Sequence, residues 1–318
     1  AVHEMVGQYN KGAAEAVHEM VGQYNKGAAE AVRKIVRAVI NIREVYEMVR
    51  SLWTAATGMI AQQTNIDTIA NNLANVNTQG YKTQVNEFKS LLYQTLQTET
   101  TSANGEQKPI GAQVGLGVRN SAITSIFREG NLYASDSETA FAIDGKGFFA
   151  VRAGDGNTYY TRNGDLKFVL ASNGNMLADS DGRPVLSSAG QPIILGSQYV
   201  LSSITVTKDG QLCYPDANRN PQPIGITIGV FQFNNPNGLE KMGDSLYSQT
   251  AASGQVLNEA TTPNLERSNI LQKYLEGSNV QVVDEMVNMI TAQRAYELNS
   301  KAIIASDEML QQANNLRR

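Results

Sequence analysis

LWTAATGMIAQQTNIDTIANNLANVNTQGY, residues 52–81, is the stretch that decides the fold of this chain. Its apolar residues recur at steps that alternate between three and four, the heptad spacing at which one helix packs against another. Gln62 interrupts this line, and the Asn- and Gly-rich end from Asn75 to Gly80 predicts that the helix stops near Val76. A narrow, interrupted apolar line indicates that this helix needs a partner helix.

A second helix with the same spacing is predicted near the end of the sequence, in residues 280–316. Gln293 interrupts its apolar line, and Asp284 and Glu285 in its first turn complement the helix dipole. We predict that the two helices pair in a coiled-coil-like inner layer, although two helices of an ordinary bundle would show the same spacing. The residues predicted to be buried on pairing, here called the assembly seam, are Leu52, Met59, Ile66, Ile69, Leu73, Val76, Val282, Met286, Met289, Tyr296, Ile303 and Leu310.

Between the two helices the sequence changes to short stretches in which β-branched and aromatic residues alternate with polar ones. Pairs such as Asp144-Gly145 and Asp209-Gly210 separate these stretches and predict tight turns. The predicted fold class is therefore α+β, with an antiparallel all-β domain inserted between paired terminal helices. The predicted divisions are a helical inner domain (48–80 and 279–318), an extended connector (81–117), and an outer β domain with its return connector (118–278).

Residues 1–47 differ from the rest, because AVHEMVGQYNKGAAE occurs there twice without a difference. We interpret this segment as a duplicated or engineered helical extension and leave it out of the fold reasoning. His3 and His18 are too far apart for one helical turn, so a metal site across the repeats is not favoured.

Composition excludes several classes of protein. A net charge of −4 gives no reason to expect a nucleic-acid partner, and the sequence has no apolar run long enough to span a membrane and no cleavable signal peptide. Cys213 is the single cysteine, and both histidines precede residue 48, which argues against triad chemistry and histidine-ligated zinc. Turns explain the Asp-Gly pairs better than calcium or phosphate loops. We therefore expect no enzyme activity, no cofactor and no metal.

Five motifs resemble the bacterial flagellar axial proteins of the rod and hook: SLWTAATGM, IANNLANVNTQGYK, AIDGKGFF, YTRNGD and SNVQVVDEMVNMITAQRAYELNSKAI. The resemblance covers residues 48–318. The residues of its first helix motif are Asn71, Asn72, Leu73, Asn75, Asn77, Gly80 and Tyr81.

This resemblance implies a structural subunit that assembles into a helical tube, transmits torque from the motor to the hook and lets exported subunits pass. Overall length and the SLWTAATGM motif favour the distal rod. The implied partners are further copies of the chain, proximal rod and hook proteins, the P- and L-ring proteins and the flagellar type III export apparatus. The implied location is the basal body, in a rod that crosses the periplasm, reached without a cleaved signal peptide.

Two alternatives remain at this point. A hook or proximal rod subunit would use the same physical design in another part of the axis. A secreted, β-rich binding module or hydrolase with helical ends is the alternative from a different class.

Overall fold

The computed structural model describes residues 49–97, 111–171, 174–216, 220–263 and 265–315. The predicted extension of residues 1–47, with His3 and His18, lies outside the described residues, as do residues 98–110 of the predicted connector.

Two long helices stand at the two ends of the described chain. Helix α1 covers residues 49–74, and helix α2 covers Val282–Asn315. α1 stops close to the predicted point because the chain turns at Asn75, whose backbone carbonyl accepts a hydrogen bond from Thr78 N at 3.1 Å. Asp284 and Glu285 lie in the first turn of α2, as the sequence predicts.

Between the helices the chain forms antiparallel strands. Their bounds are β1 (Gln84–Ser90), β2 (Tyr93–Gln97), β3 (Ala112–Gly115), β4 (Val118–Ser125), β5 (Leu132–Ala134), β6 (Phe141–Asp144), β7 (Phe148–Arg152), β8 (Thr158–Thr161), β9 (Lys167–Ala171), β10 (Gly174–Ala178), β11 (Ile194–Leu195), β12 (Thr205–Val206), β13 (Gln211–Pro215), β14 (Pro221–Thr227), β15 (Val230–Phe233), β16 (Glu240–Gly243), β17 (Leu246–Ser248), β18 (Val256–Asn258), β19 (Asn269–Gln272) and β20 (Tyr274–Glu276). The α+β fold class with a β-rich part between two helices is thereby confirmed.

The described residues divide into two compact units. The first contains residues 49–60, 90–97, 111–119 and 296–315, and the second contains residues 61–89 and the described residues of 120–295. In the first unit β2 and β3 form a ribbon in which Tyr93 lies opposite Gly115.

The second unit is built on a six-stranded sheet with the order β16-β17-β8-β7-β15-β18. The apolar run of β7 explains its central place, because a strand buried on both faces needs apolar residues at successive positions. Phe149 and Val151 pack into one hydrophobic cluster, while Phe148 and Ala150 pack into another. The second cluster is rich in aromatic rings that meet edge to face, such as Tyr160 and Phe233 at 4.8 Å between centroids.

Two of the predicted tight turns, at Asp181-Gly182 and Asp209-Gly210, are present, whereas Gly145 lies in a bend between two strands that do not pair and residues 163–164 lie in no turn. Gly182 and Gly210 have φ of 81° and 78°, in the left-handed region that glycine adopts without a steric cost. Each follows an aspartate, as the Asp-Gly pairs predict.

Candidate functional site

In the first unit, α1 and α2 touch through small and polar side chains. The hydroxyl groups of Ser51 and Ser306 are 3.1 Å apart. Two turns further along α1, Gly58 lies against Asn299 of α2, whose Nδ2 atom would be 2.8 Å from a Cβ added to the glycine. Because glycine has no side chain, the helix backbone can approach Asn299 this closely.

The second unit contains the corresponding contact at the other end of the helices. Here Asn72 Nδ2 of α1 donates a hydrogen bond to Glu285 Oε2 of α2 at 3.1 Å, and both residues are buried. In all three contacts the two residue numbers add to 357, the same antiparallel register. Five residues of α1 are buried: Ala55, Ala61, Thr68, Ile69 and Asn72. All of them except Ile69 are small or polar.

We call Ser51, Gly58 and Asn72, the residues of α1 that contact α2, the helix contact line. Residues of the predicted assembly seam lie next to it in the sequence. Ile69 is its one buried residue, and the half-buried ones are Leu52, Met59, Ile66, Leu73, Val76, Met289, Ile303 and Leu310. Val282, Met286 and Tyr296 are exposed. Burial of these residues in an assembly stays a prediction.

The sequence reasoning missed the contact line itself. Ser51, Gly58 and Asn72, which contact α2, each precede a residue of the predicted seam by one position: Leu52, Met59 and Leu73. The signal was present, but it consisted of small residues that allow close approach rather than of large apolar ones.

The first turns of α2 carry exposed apolar side chains. We call Val283, Met286, Val287 and Ile290 the α2 outer stripe, and their exposed fractions are 73%, 52%, 54% and 56%. Their spacing of three, one and three residues places them on one face of the helix. Contiguous exposed apolar groups of this kind mark interaction surfaces.

The Asn-rich motif at the end of α1 holds the following chain in place. The side-chain amide of Asn72 donates to Gln84 O at 2.8 Å and accepts from Gln84 N at 2.9 Å, as a neighbouring strand would. Its oxygen also accepts from the Tyr81 hydroxyl at 3.1 Å. Asn71 Nδ2 donates to the same Tyr81 hydroxyl at 3.1 Å.

Tyr81 is therefore fixed by two asparagines from the last turns of α1. Burial, with the negative charge of Glu285 as the second cause, raises the pKa of Tyr81 to about 12. Asn75 adds a local support, because its side chain donates to Asn71 O at 2.9 Å and accepts from the Thr78 hydroxyl at 3.0 Å. Of the remaining motif residues, Leu73 is half-buried and Asn77 is exposed.

Gly80 is required at its position for two reasons. Its φ of 66° lies in the left-handed region, and a Cβ on it would be 2.7 Å from the backbone carbon of Arg162. Gly80 N donates to Glu276 O at 2.9 Å, so the chain leaving α1 lies against the chain that approaches α2.

The described residues contain no group of three or more His, Cys, Asp or Glu side chains that could hold a metal ion. Asp179, in the turn that contains the Asp181-Gly182 pair, accepts a hydrogen bond from Arg183 Nε at 2.7 Å. Within the described part of the chain, no helix is long and apolar enough to span a membrane.

Comparison with known proteins decides the family. The family model described as "Flagella basal body rod protein" matches residues 52–82, the "Flagellar hook protein FlgE/F/G D1 domain" model matches residues 142–214, and the "Flagellar basal body rod FlgEFG protein C-terminal" model matches residues 271–316. The chain is 44% identical to the flagellar basal-body rod protein FlgG of Borreliella burgdorferi over 274 residues, which are 85% of this chain and 100% of that protein.

The chain belongs to the flagellar basal-body rod protein family. The rod protein FlgG of Bacillus subtilis is 36% identical over 85% of this chain and all of its own length. The flagellar hook-basal body complex protein FlhP of the same organism is 33% identical with the same coverage. The prediction of a structural subunit of the distal flagellar rod, rather than an enzyme, is thereby confirmed.

Proposed function

We propose that this rod protein polymerises with copies of itself into a helical tube, with α1 and α2 in a coiled-coil-like inner layer and the β-rich part outside. The tube transmits torque from the motor to the hook, and its lumen lets exported subunits pass. A contact that is repeated by a screw operation does not close on itself, so it produces an open tube rather than a ring.

The observation that supports this proposal is the uneven use of apolar residues on the helices. Within one chain the helices meet through polar pairs such as Ser51–Ser306 and Asn72–Glu285. The α2 outer stripe meanwhile stays in contact with water. Burial of that surface by neighbouring subunits stabilises the polymer at roughly 25 cal/mol for each Å² of apolar area removed from water.

Membership in the rod family supports contact with other axial proteins of the flagellum. We further propose that one end of the tube meets the proximal rod and the other the hook. In this proposal the rod crosses the periplasm, the P- and L-ring proteins surround it, and the type III export apparatus delivers its subunits.

Electron microscopy of the concentrated protein tests the proposal. The parent chain is expected to form tubes, and Val287→Asp is expected to stay as single subunits because it places a charge in the apolar contact. The matched control is Val200→Asp, since Val200 is 56% exposed, as Val287 is 54% exposed, but lies far from either helix in sequence. Discrete particles from the parent chain at every concentration, or tubes from Val287→Asp as readily as from the parent, would contradict the proposal.

A further inference from the structure

Three buried charged side chains lie together in the second unit. Lys82 Nζ donates to Glu276 Oε1 at 2.5 Å, and Arg162 Nη1 donates to Glu276 Oε2 at 3.2 Å. The side chains of Lys82, Glu276 and Arg162 are 0%, 0% and 2% exposed. One carboxylate is thus held between two cations away from water, a group here called the charge cluster.

The charge cluster also binds specific backbone groups. Lys82 Nζ donates to Arg128 O at 2.9 Å, and Glu276 Oε1 accepts from Gly130 N at 3.0 Å. Arg162 Nη2 donates to Gly145 O at 2.5 Å. Each charged group therefore fixes the position of a further chain segment, because a charge-assisted hydrogen bond is short and directional.

The cluster lies where the chain leaves α1 and returns to α2. Besides the contact of Gly80 with Glu276, Asn279 N donates to Tyr81 O at 3.4 Å and Thr83 N donates to Asn279 Oδ1 at 2.7 Å. Lys82, Arg162 and Glu276 fall one each within the three segments that the flagellar family models match.

We infer that the charge cluster is an alignment lock, which permits one register between residues 80–83, residues 276–279 and the β-rich part. If residues 80–83 slipped by one position, Tyr81 or Thr83 would replace Lys82, and Glu276 would lose the shorter of its two ion pairs while Lys82 lost its buried partner. A buried charge without its partner is far more costly than a lost neutral contact. The slipped alignments are excluded for that reason.

Stability alone does not account for such a cluster. Removing a lysine from water is costly, and burial lowers the pKa of Lys82, while the negative charge of Glu276 opposes this shift. Replacement of buried ion pairs by apolar side chains of similar volume is often neutral or stabilising in other proteins. Such side chains would, however, accept several alignments, which the charges do not.

Hydrogen exchange measured by mass spectrometry on the full chain tests the lock. Glu276→Gln leaves two buried cations without a carboxylate, so the amides of residues 80–83, 128–130 and 276–279 are expected to exchange about a hundredfold faster. Amides of β7 should keep the parent rate. The control Glu266→Gln removes an equivalent carboxylate from the exposed Lys146–Glu266 pair and should change nothing. Unchanged exchange rates in residues 80–83, 128–130 and 276–279, or an equal increase of the exchange rates in β7, would overturn the inference.

A second variant separates alignment from stability. In the triple variant Lys82→Met, Arg162→Met and Glu276→Met, the urea midpoint is expected to stay close to that of the parent. The amides of residues 80–83, 128–130 and 276–279 should still exchange about tenfold faster, because several registers become accessible. A marked fall in the urea midpoint, or amides in these three segments that are as protected as in the parent, would show that the charge cluster stabilises the core and does not select the register. This variant carries the test if Glu276→Gln does not fold.

Discussion

Replacing Gly80 by alanine tests whether the turn after α1 is fixed by its own conformation or by what lies against it. A non-glycine residue in the left-handed region costs about 1–2 kcal/mol. At Gly80 the new Cβ must also displace the backbone of Arg162, which is 2.7 Å away. Overpacking of this kind costs about 1–3 kcal/mol. Together these effects, less the part that the more restricted unfolded chain offsets, predict that Gly80→Ala lowers the free energy of unfolding by about 3 kcal/mol.

The matched control for this change is Gly182→Ala. Gly182 has a similar backbone conformation, with φ of 81°, but no atom lies within 4 Å of the added Cβ. Its cost should be that of the conformation alone, about 1 kcal/mol, because the more restricted unfolded chain offsets part of it. Urea unfolding followed by circular dichroism gives both values. Equal costs at the two positions would show that the contact with Arg162 is unimportant.

Two further predictions concern the helix surface and the motif tyrosine. Ile290→Ala should leave the melting temperature of the subunit unchanged and raise the critical concentration for assembly about fivefold. Ile143→Ala, in the buried core, should instead lower the free energy of unfolding of the subunit by about 2–5 kcal/mol. The reverse pattern would refute the proposed surface. The pKa of Tyr81 is raised to about 12 in the folded state, so its stabilisation is complete below pH 10 and is lost as pH rises from 10 to 12. Between pH 9 and pH 11 the free energy of unfolding, measured by urea titration, should therefore fall less in Tyr81→Phe than in the parent. An equal fall in both proteins would contradict the raised pKa of Tyr81.

The helices and the β-rich part could be predicted from sequence because their signals are local. Heptad steps and a polar, glycine-containing stop predicted α1 to end near Val76, and it ends at residue 74. Asp-Gly pairs predicted turns because few residues other than glycine adopt the left-handed backbone there.

The helix contact line was harder to predict because apolar spacing assigns the contact to large side chains. The structure places Gly58 and Asn299 there instead, one position away from Met59 of the predicted seam. The charge cluster had no local signal at all. Lys82 and Glu276 are 194 residues apart in sequence, and Arg162 lies between them, so only the folded chain shows that they meet.

The hydrogen bonds between Gly80 and Glu276 and between Tyr81 and Asn279 have a consequence for engineering. The long stretch of chain from residue 84 to residue 275 departs from and returns to a single place. Closing a gap between adjacent ends takes few residues and little conformational entropy. A short linker, or a foreign domain whose own termini are close together, should therefore be able to join residue 83 to residue 276. That exchange also removes Arg162, so that Lys82 alone then pairs with Glu276. The two helices would then carry the inserted domain in place of the β-rich part.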